Sequence, residues 1–286
     1  MRLGIITDEV SQDFEEALNF ADEFGLECVE LRSAWEKGPF EYEREDIVKI
    51  KNLADKHNIE ICAISSPVFK CAYSKENIKI HTEGLKKMVE LAEILGADKI
   101  RCFDFFRDEK VTHEMIKNAF EKGYDFCEKA GITIVIESEP TTNSSCCEDI
   151  ANLVKYVNKP YFKALYDPGN NIYSTDEVPF PQGYEYIKDI VRHIHIKDAV
   201  KIDGKAVGAA VGKGLVNYVG LFEELNKYGY VGDVMLETHY RPCSKLPEET
   251  LKNPKGSAIS RNGYEASKEC MINLKKIIDD IGREKS

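Results

Sequence analysis

Four apolar runs in this chain end in a residue able to bind a cation or move a proton. They are Ile134-Val135-Ile136-Glu137, Ala164-Leu165-Tyr166-Asp167, Val191-Arg192-His193-Ile194-His195-Ile196-Lys197-Asp198 and Val234-Met235-Leu236-Glu237. The third alternates with period two, so it reads as a strand with both imidazoles on one face. A carboxylate at the end of an apolar strand is costly to desolvate unless something compensates it. Three that converge repel each other, and a divalent cation relieves the repulsion. Any one of these residues alone would pass as a rim residue paired with Lys or Arg. Together, Glu137, Asp167, His195 and Glu237 offer three oxygens and one nitrogen, a set that suits one divalent ion and does not choose among Mn, Zn, Mg, Co and Fe. His195 is preferred as ligand because it lies nearer the strand's C-terminal end. His193, one layer deeper, reads as a hydrogen-bonded core histidine. Lys197 is expected to face the other side in a structural role, and Asp198 to orient a ligand or hold the next loop.

The rest of the pattern supplies the scaffold. Strands are predicted at 3–7, 28–31, 59–65 (stopped by Pro67), 99–105, 132–137, 162–167, 191–198 and 233–238. Helical periods fill 13–24, 45–57, 77–95, 112–130, 147–157, 183–189, 217–228 and 259–281. Strict alternation implies parallel strands with right-handed crossovers. Eight such units predict a single (β/α)8 TIM barrel spanning 1–286. An open doubly wound sheet would usually carry a glycine-rich turn after its first strand, and Thr7-Asp8-Glu9-Val10 has none. The glycine-rich 200–214 loop and the 239–258 loop fall on the strands' C-terminal side, where this fold carries its site, and are candidate lids.

Composition narrows the function classes. Of 286 residues, 43% are hydrophobic and 31% charged, as in ordinary soluble globular proteins. No apolar run approaches the ~20 residues that span a bilayer, so no membrane partner is expected. Met1 leads straight into a strand pattern without a signal-peptide segment, and the expected location is cytoplasmic. The nine cysteines are scattered among apolar patterns, which argues for reduced thiols and against a zinc–thiolate site. The net charge of −11, without a dense basic cluster, disfavours nucleic acid as partner.

The motif order Ile136-Glu137-Ser138-Glu139-Pro140, Tyr166-Asp167-Pro168-Gly169-Asn170, His193-Ile194-His195-Ile196-Lys197-Asp198 and Leu236-Glu237-Thr238 resembles the xylose isomerase-like barrel superfamily of sugar phosphate isomerases and epimerases. The resemblance covers nearly the whole chain. It implies Glu137, Asp167, His195 and Glu237 as metal ligands, with Glu137 and Glu237 also moving the substrate proton. The substrate would be a small carbohydrate, a sugar or sugar phosphate, isomerised or epimerised through an enediolate. Where epimerases of this group often place a substrate-binding histidine three residues after the Asp, this chain has Asn170, a departure from the epimerase pattern. Barrels of this kind occur as dimers and tetramers, and no interface stripe is visible, so a homo-oligomer stays open.

Further substrate-site candidates are Glu139, Arg107, Trp35, His239 and Arg241. Glu139 shares a face with Glu137. Arg107 and Arg241 could meet a substrate phosphate, although a surface arginine is the commoner explanation for the first. Trp35 could wall a sugar pocket or cap the barrel. His239 shares a face with Glu237. Glu30 ends the second strand and could bind a hydroxyl or pair with Arg32. His57, His81 and His113 are read as surface residues. Competing readings are a polyol dehydratase on the same site, an endonuclease IV-like phosphodiesterase, and a barrel that binds sugar without turnover. The phosphodiesterase chemistry uses extra histidines on early strands, which Leu31-Arg32-Ser33 and Ile64-Ser65-Ser66-Pro67 lack.

Overall fold

The apolar runs become strands β1 (Arg2–Ile6), β2 (Cys28–Leu31), β3 (Glu60–Val68), β4 (Lys99–Cys102), β5 (Thr133–Glu137), β6 (Phe162–Tyr166), β7 (Val191–Ile196), β8 (Asp198–Ile202), β9 (Lys205–Ala209) and β10 (Asp233–Leu236) in a computed structural model that describes residues 1–242 and 244–283. All but β8 and β9 close into one ring in the order β1-β10-β7-β6-β5-β4-β3-β2. Every pairing around the ring is parallel. Helices lie between consecutive strands, so the (β/α)8 barrel expected from the alternation is the observed architecture.

Parallel strands wrapped by helices bury both faces, and the two faces here carry different chemistry. Ile5, Val29, Ile100, Ile134, Ile136, Ile194, Ile196, Val234 and Leu236 belong to the main apolar core that the helices complete. Their alternate neighbours point into the ring. Ile6, Cys28, Cys62, Ala63 and Met235 form a separate small cluster there. Nearer the C-terminal rim the interior turns polar and stays buried, with Glu30, Arg101, Glu137, His193, His195 and Glu237. The ring is tight at Gly4, where a Cβ would lie 2.4 Å from Cys28 O and 2.6 Å from Met235 Cε.

Several boundaries differ from the sequence expectation, each for a local reason. Pro67 does not stop β3; the register shifts between Ser65 and Val68, and proline, which has no N–H to donate, is tolerated at such an irregularity. β4 ends at Cys102, three residues early, and Phe105 turns with φ of 72°. β6 ends at Tyr166 because Asp167 caps a short helix missing from the expectation, Pro168–Ser174, with Pro168 in its first turn. The chain leaves β7 at Ile196, and the predicted 200–214 loop is largely a hairpin of β8 and β9 paired antiparallel from Asp198↔Ala209 to Ile202↔Lys205. The 239–258 segment, described apart from residue 243, carries two short helical turns, Glu248–Lys252 and the start of Ser257–Ser260. The last helix starts at Gly263 and runs to Arg283.

Candidate metal centre

β5, the start of the Pro168–Ser174 helix, β7 and the end of β10 bring Glu137, Asp167, His195 and Glu237 together. One ligand atom from each lies within 4.8 Å of the others, and all four residues are buried. His195 is central. Its Nε2 lies 3.0 Å from Glu30 Oε2, while its Nδ1 lies 3.4 Å from Glu137 Oε1 and 3.3 Å from Glu237 Oε2 without a hydrogen-bond partner. With Nε2–H donated to Glu30, Nδ1 carries a lone pair aimed at carboxylate oxygens, which cannot donate to it. Either a proton or a cation must satisfy that nitrogen. Burial opposes charging His195, but Glu30, Glu137 and Glu237 outweigh it and hold the imidazole well above its usual range. A carboxylate that fixes the tautomer of an imidazole is the arrangement found behind metal-binding histidines, so the donor set fits a divalent ion. His193 sits one layer deeper, its Nε2 2.6 Å from the same Glu30 oxygen, as expected of a core histidine.

The three carboxylates are held by different devices. Asp167 is the N-cap of the Pro168–Ser174 helix; its Oδ1 accepts from Asn170 N at 3.0 Å, which leaves Oδ2 for the centre. Glu137 Oε2 lies 3.1 Å from Arg101 Nη1, and its Oε1 accepts from Asn170 Nδ2 at 3.2 Å. Glu237 Oε1 accepts from Arg32 Nη1 at 2.6 Å and its Oε2 from Lys197 Nζ at 2.8 Å. Burial raises all three acids. For Glu137, Arg101 and His195 outweigh burial and set it at about 2. For Glu237, Lys197 and His239 hold it well below the carboxylate range. For Asp167, burial wins despite Lys197, with repulsion from Glu237 and Glu137, and its carboxyl rises to about 7. The centre as it stands strains to keep its third carboxylate ionised, which is the repulsion a divalent ion relieves.

Lys197 corrects an expectation. It does not face away. Its Nζ bridges Asp167 Oδ2 and Glu237 Oε2 at 2.8 Å each, and the side chain is buried. Period two puts residues 193, 195 and 197 on one face, so the signal was in the strand pattern. Arg32 also departs from expectation: it pairs with Asp8, Glu9 and Glu237, and not with Glu30. Asp8 and Glu9 come from a single 3-10 turn, Thr7–Glu9, directly after β1. His239 Nε2 lies 3.2 Å from Glu9 Oε1 and 3.3 Å from Glu237 Oε1. Asp198 holds a loop, accepting from the backbone N–H of Gly212, Gly214 and Val216.

A cleft of about 260 Å3 opens over the centre, bounded by Glu137, Glu237, Asn170, Tyr173, Lys197 and His239 and by Lys70, Arg101, Phe103 and Glu139. Asn170 and Glu139 are therefore on the cleft wall, Glu139 with Lys70 Nζ at 3.3 Å. Leu251, Lys252 and Pro254 of the 239–258 segment also line it. Three candidates lie elsewhere. Arg107 is exposed, its Nε directed at Thr142 O. Trp35 packs edge-on against Phe14 with Lys49 over its ring, on the barrel's outer side. Arg241 is buried but spends its fork on the carbonyls of Tyr240, Ile259 and Arg261. Among the missed residues, Arg101 had a readable sign: Lys99 and Arg101 alternate with Ile100 and Cys102 inside a core strand. Lys70 follows β3 in a loop and gave none. Of the histidines read as surface residues, two are not: the His57 side chain is only 9% exposed and meets Asp22 through Nδ1, and His81 is half-buried, with its Nδ1 accepting from Phe69 N at 2.8 Å.

A family model described as xylose isomerase-like TIM barrel matches residues 18–265. The L-ribulose-5-phosphate 3-epimerase UlaE of Salmonella heidelberg (strain SL476) is 22% identical over 188 residues, 63% of this chain and 61% of that protein, so the likeness spans less than two thirds of the relative. Two solved structures share the fold. One is the IolI protein with a bound zinc atom, at TM-score 0.76 and 16% identity, over 98% of this chain and 99% of that one. The other is a D-allulose 3-epimerase from Methylomonas sp. in complex with D-allulose, at TM-score 0.75 and 14% identity over 96% of each chain.

Proposed function

We propose a proton-transfer enzyme from a plain premise: the chain belongs to the xylose isomerase-like TIM barrel family. The reaction is isomerisation or epimerisation of a sugar or sugar phosphate. Glu137, Asp167, His195 and Glu237 would hold one divalent ion, and Glu137 and Glu237 would move the proton. The observation that carries this reading is the unpartnered Nδ1 of His195, buried between two carboxylates with its other nitrogen fixed by Glu30. The sugar epimerases among the similar proteins, and the zinc atom bound to the IolI protein, support it.

When bound, a divalent ion polarises a carbonyl and makes the neighbouring C–H acidic. The remaining work falls to the protein's own groups. Glu137 and Glu237 are both held ionised by cations set behind them, and both border the cleft. One would accept the proton from the carbon next to the carbonyl, leaving an enediolate. The other would return a proton to the opposite face, which epimerises, or to the adjacent carbon, which isomerises. Arg101 and Asn170 fix Glu137, while Arg32 and Lys197 fix Glu237, so neither carboxylate has to be reoriented for the transfer. Such assistance contributes roughly 10²–10⁴-fold.

The test is exchange of substrate C–H for deuterium in D₂O over a panel of ketoses, with the ion content measured on the same sample. One ion per chain and exchange that falls by roughly 10²–10⁴-fold in both Glu137→Gln and Glu237→Gln is expected. Full exchange in both variants would refute the roles given to the two glutamates. Three zinc ions per chain would favour phosphodiester cleavage instead.

A further inference from the structure

Beside the cleft is a second chamber of about 190 Å3 that shares Lys70, Arg101 and Pro254 with it. One water needs roughly 10–15 Å3 of such space, so the chamber admits a polyatomic group. Its lining holds Arg32, Lys70, Arg101 and Lys255 and, among the described residues, no carboxylate. Arg32 is spent on Asp8, Glu9 and Glu237, and Lys255 reaches out to Glu41 at the surface. Lys70 and Arg101 remain, on the wall common to both spaces.

These two cations are crowded in a way that calls for an anion. The Lys70 ammonium lies 4.7 Å and the Arg101 guanidinium 4.9 Å from the centre of the same Phe103 ring. Both side chains are largely buried. Burial pulls the Lys70 ammonium below its usual range, Glu139 opposes that, and the Arg101 charge adds to it. Each has one carboxylate on the cleft side, Glu139 at 3.3 Å and Glu137 at 3.1 Å, and neither acid reaches the chamber. Among the described residues, the other hydrogen bonds of the Arg101 side chain are long, 3.4 Å from Nε and Nη2 to Ser66 O. Two buried like charges facing an acid-free space cost free energy that an anion between them would recover.

We propose that the substrate carries an anionic terminus, a phosphate ester or a carboxylate, which enters this chamber and is clamped by Lys70 and Arg101 while the carbonyl end lies over the carboxylate centre. This names the substrate class for the site described above and rests on that reading for its catalytic half. Lys70 and Arg101 are specificity-determining residues: they select the charged sugar over its neutral counterpart.

The test uses the full chain with its ion and two matched pairs, ribulose against ribulose 5-phosphate and tagatose against tagaturonate, in D₂O. The charged member of one pair is expected to exchange with kcat/KM roughly 10- to 100-fold higher, the size of one or two charge-assisted hydrogen bonds. Which pair responds separates phosphate from carboxylate. Lys70→Gln should remove that preference mainly through KM, and Lys70→Arg should restore it to within a few-fold. Equal exchange of charged and neutral members overturns the inference and leaves the proton-transfer reading standing. If no sugar exchanges, that reading fails, and the clamp is judged by calorimetry with inorganic phosphate. Phosphate binding lost in Lys70→Gln and kept in Lys70→Arg supports the clamp. No binding, or equal binding in all three proteins, overturns it.

Discussion

Glu30→Gln isolates the support behind the imidazole. In the parent, His193 Nε2 and His195 Nε2 both meet Glu30 Oε2, at 2.6 and 3.0 Å, and Ser65 Oγ donates to Oε1 at 2.5 Å. All the partners are buried. Glutamine has the same shape. Its carbonyl can take the place of Oε2 and its amide can donate to a rotated Ser65 hydroxyl, whose own proton then turns away from residue 30. What is lost is the charge on the acceptor. A hydrogen bond to a charged group contributes about 1.5–3 kcal/mol and a neutral one about 0.5–1.5 kcal/mol. Two imidazole bonds each losing about 1 kcal/mol give a destabilisation of about 2 kcal/mol, a sizeable share of a total of about 5–15 kcal/mol. The same loss makes Nδ1 of His195 a weaker donor to a cation, and such supporting partners are worth roughly 10–100-fold in affinity. Urea unfolding in the presence of a chelator measures the first number, and titration of the chelated protein with Zn²⁺ or Mn²⁺ the second. A midpoint within 0.5 kcal/mol of the parent (roughly the scatter of a neutral surface substitution) together with unchanged ion affinity would refute the claim that Glu30 sets the imidazole.

Lys197→Met removes the ammonium that bridges Asp167 and Glu237. Without ion, breaking this buried pair should cost about 3–5 kcal/mol, and the rise in Tm on adding divalent ion should exceed the parent's; an equal rise would argue that the ammonium and the ion do not share these carboxylates. Asp104, buried with Oδ2 unpartnered, is raised by burial from 3.8 to about 6, against its bonds from Ser144. The folded state therefore keeps this proton after the unfolded state has released it, so its contribution to stability falls as pH rises from 4 to 6 and is level above that. The difference in unfolding free energy between Asp104→Asn and the parent should climb across that window by about 2–3 kcal/mol, at 1.36 kcal/mol per unit, as read by urea midpoints at several pH values; a flat difference would refute it.

The barrel was legible because its outward positions follow a simple rule. Ile134 and Ile136, or Ile194 and Ile196, repeat every second residue, and the helices between them carry their own period. The four ligand candidates were legible because each stands at the end of such a strand, where a charged side chain is costly to bury unless something compensates it. What surrounds them was harder. Lys197 was readable and misread, since its parity with His195 is plain. Asp8 and Glu9 look like a polar turn until Arg32, just past the end of the next strand, is seen to face both. Lys70 follows an irregular end of β3, where no periodicity survives to assign it a direction. Arg107 and Arg241 show the reverse error: a cation near the right strand end in sequence, spent on backbone carbonyls in space. A period reports which face a side chain takes, and says nothing of which partner fills the space opposite.

Asp198 gathers the amides of residues 212, 214 and 216, and a Cβ on Gly214 would sit 2.0 Å from its Oδ1. The hairpin of β8 and β9 thus leaves and rejoins the barrel at one knot tied by a single side chain. Its outer turn, Asp203-Gly204, is exposed and far along the ribbon from that knot. The ribbon is in effect a handle: a reporter peptide or affinity tag spliced between Asp203 and Gly204 would leave the knot, and with it the end of β7 that carries His195, undisturbed.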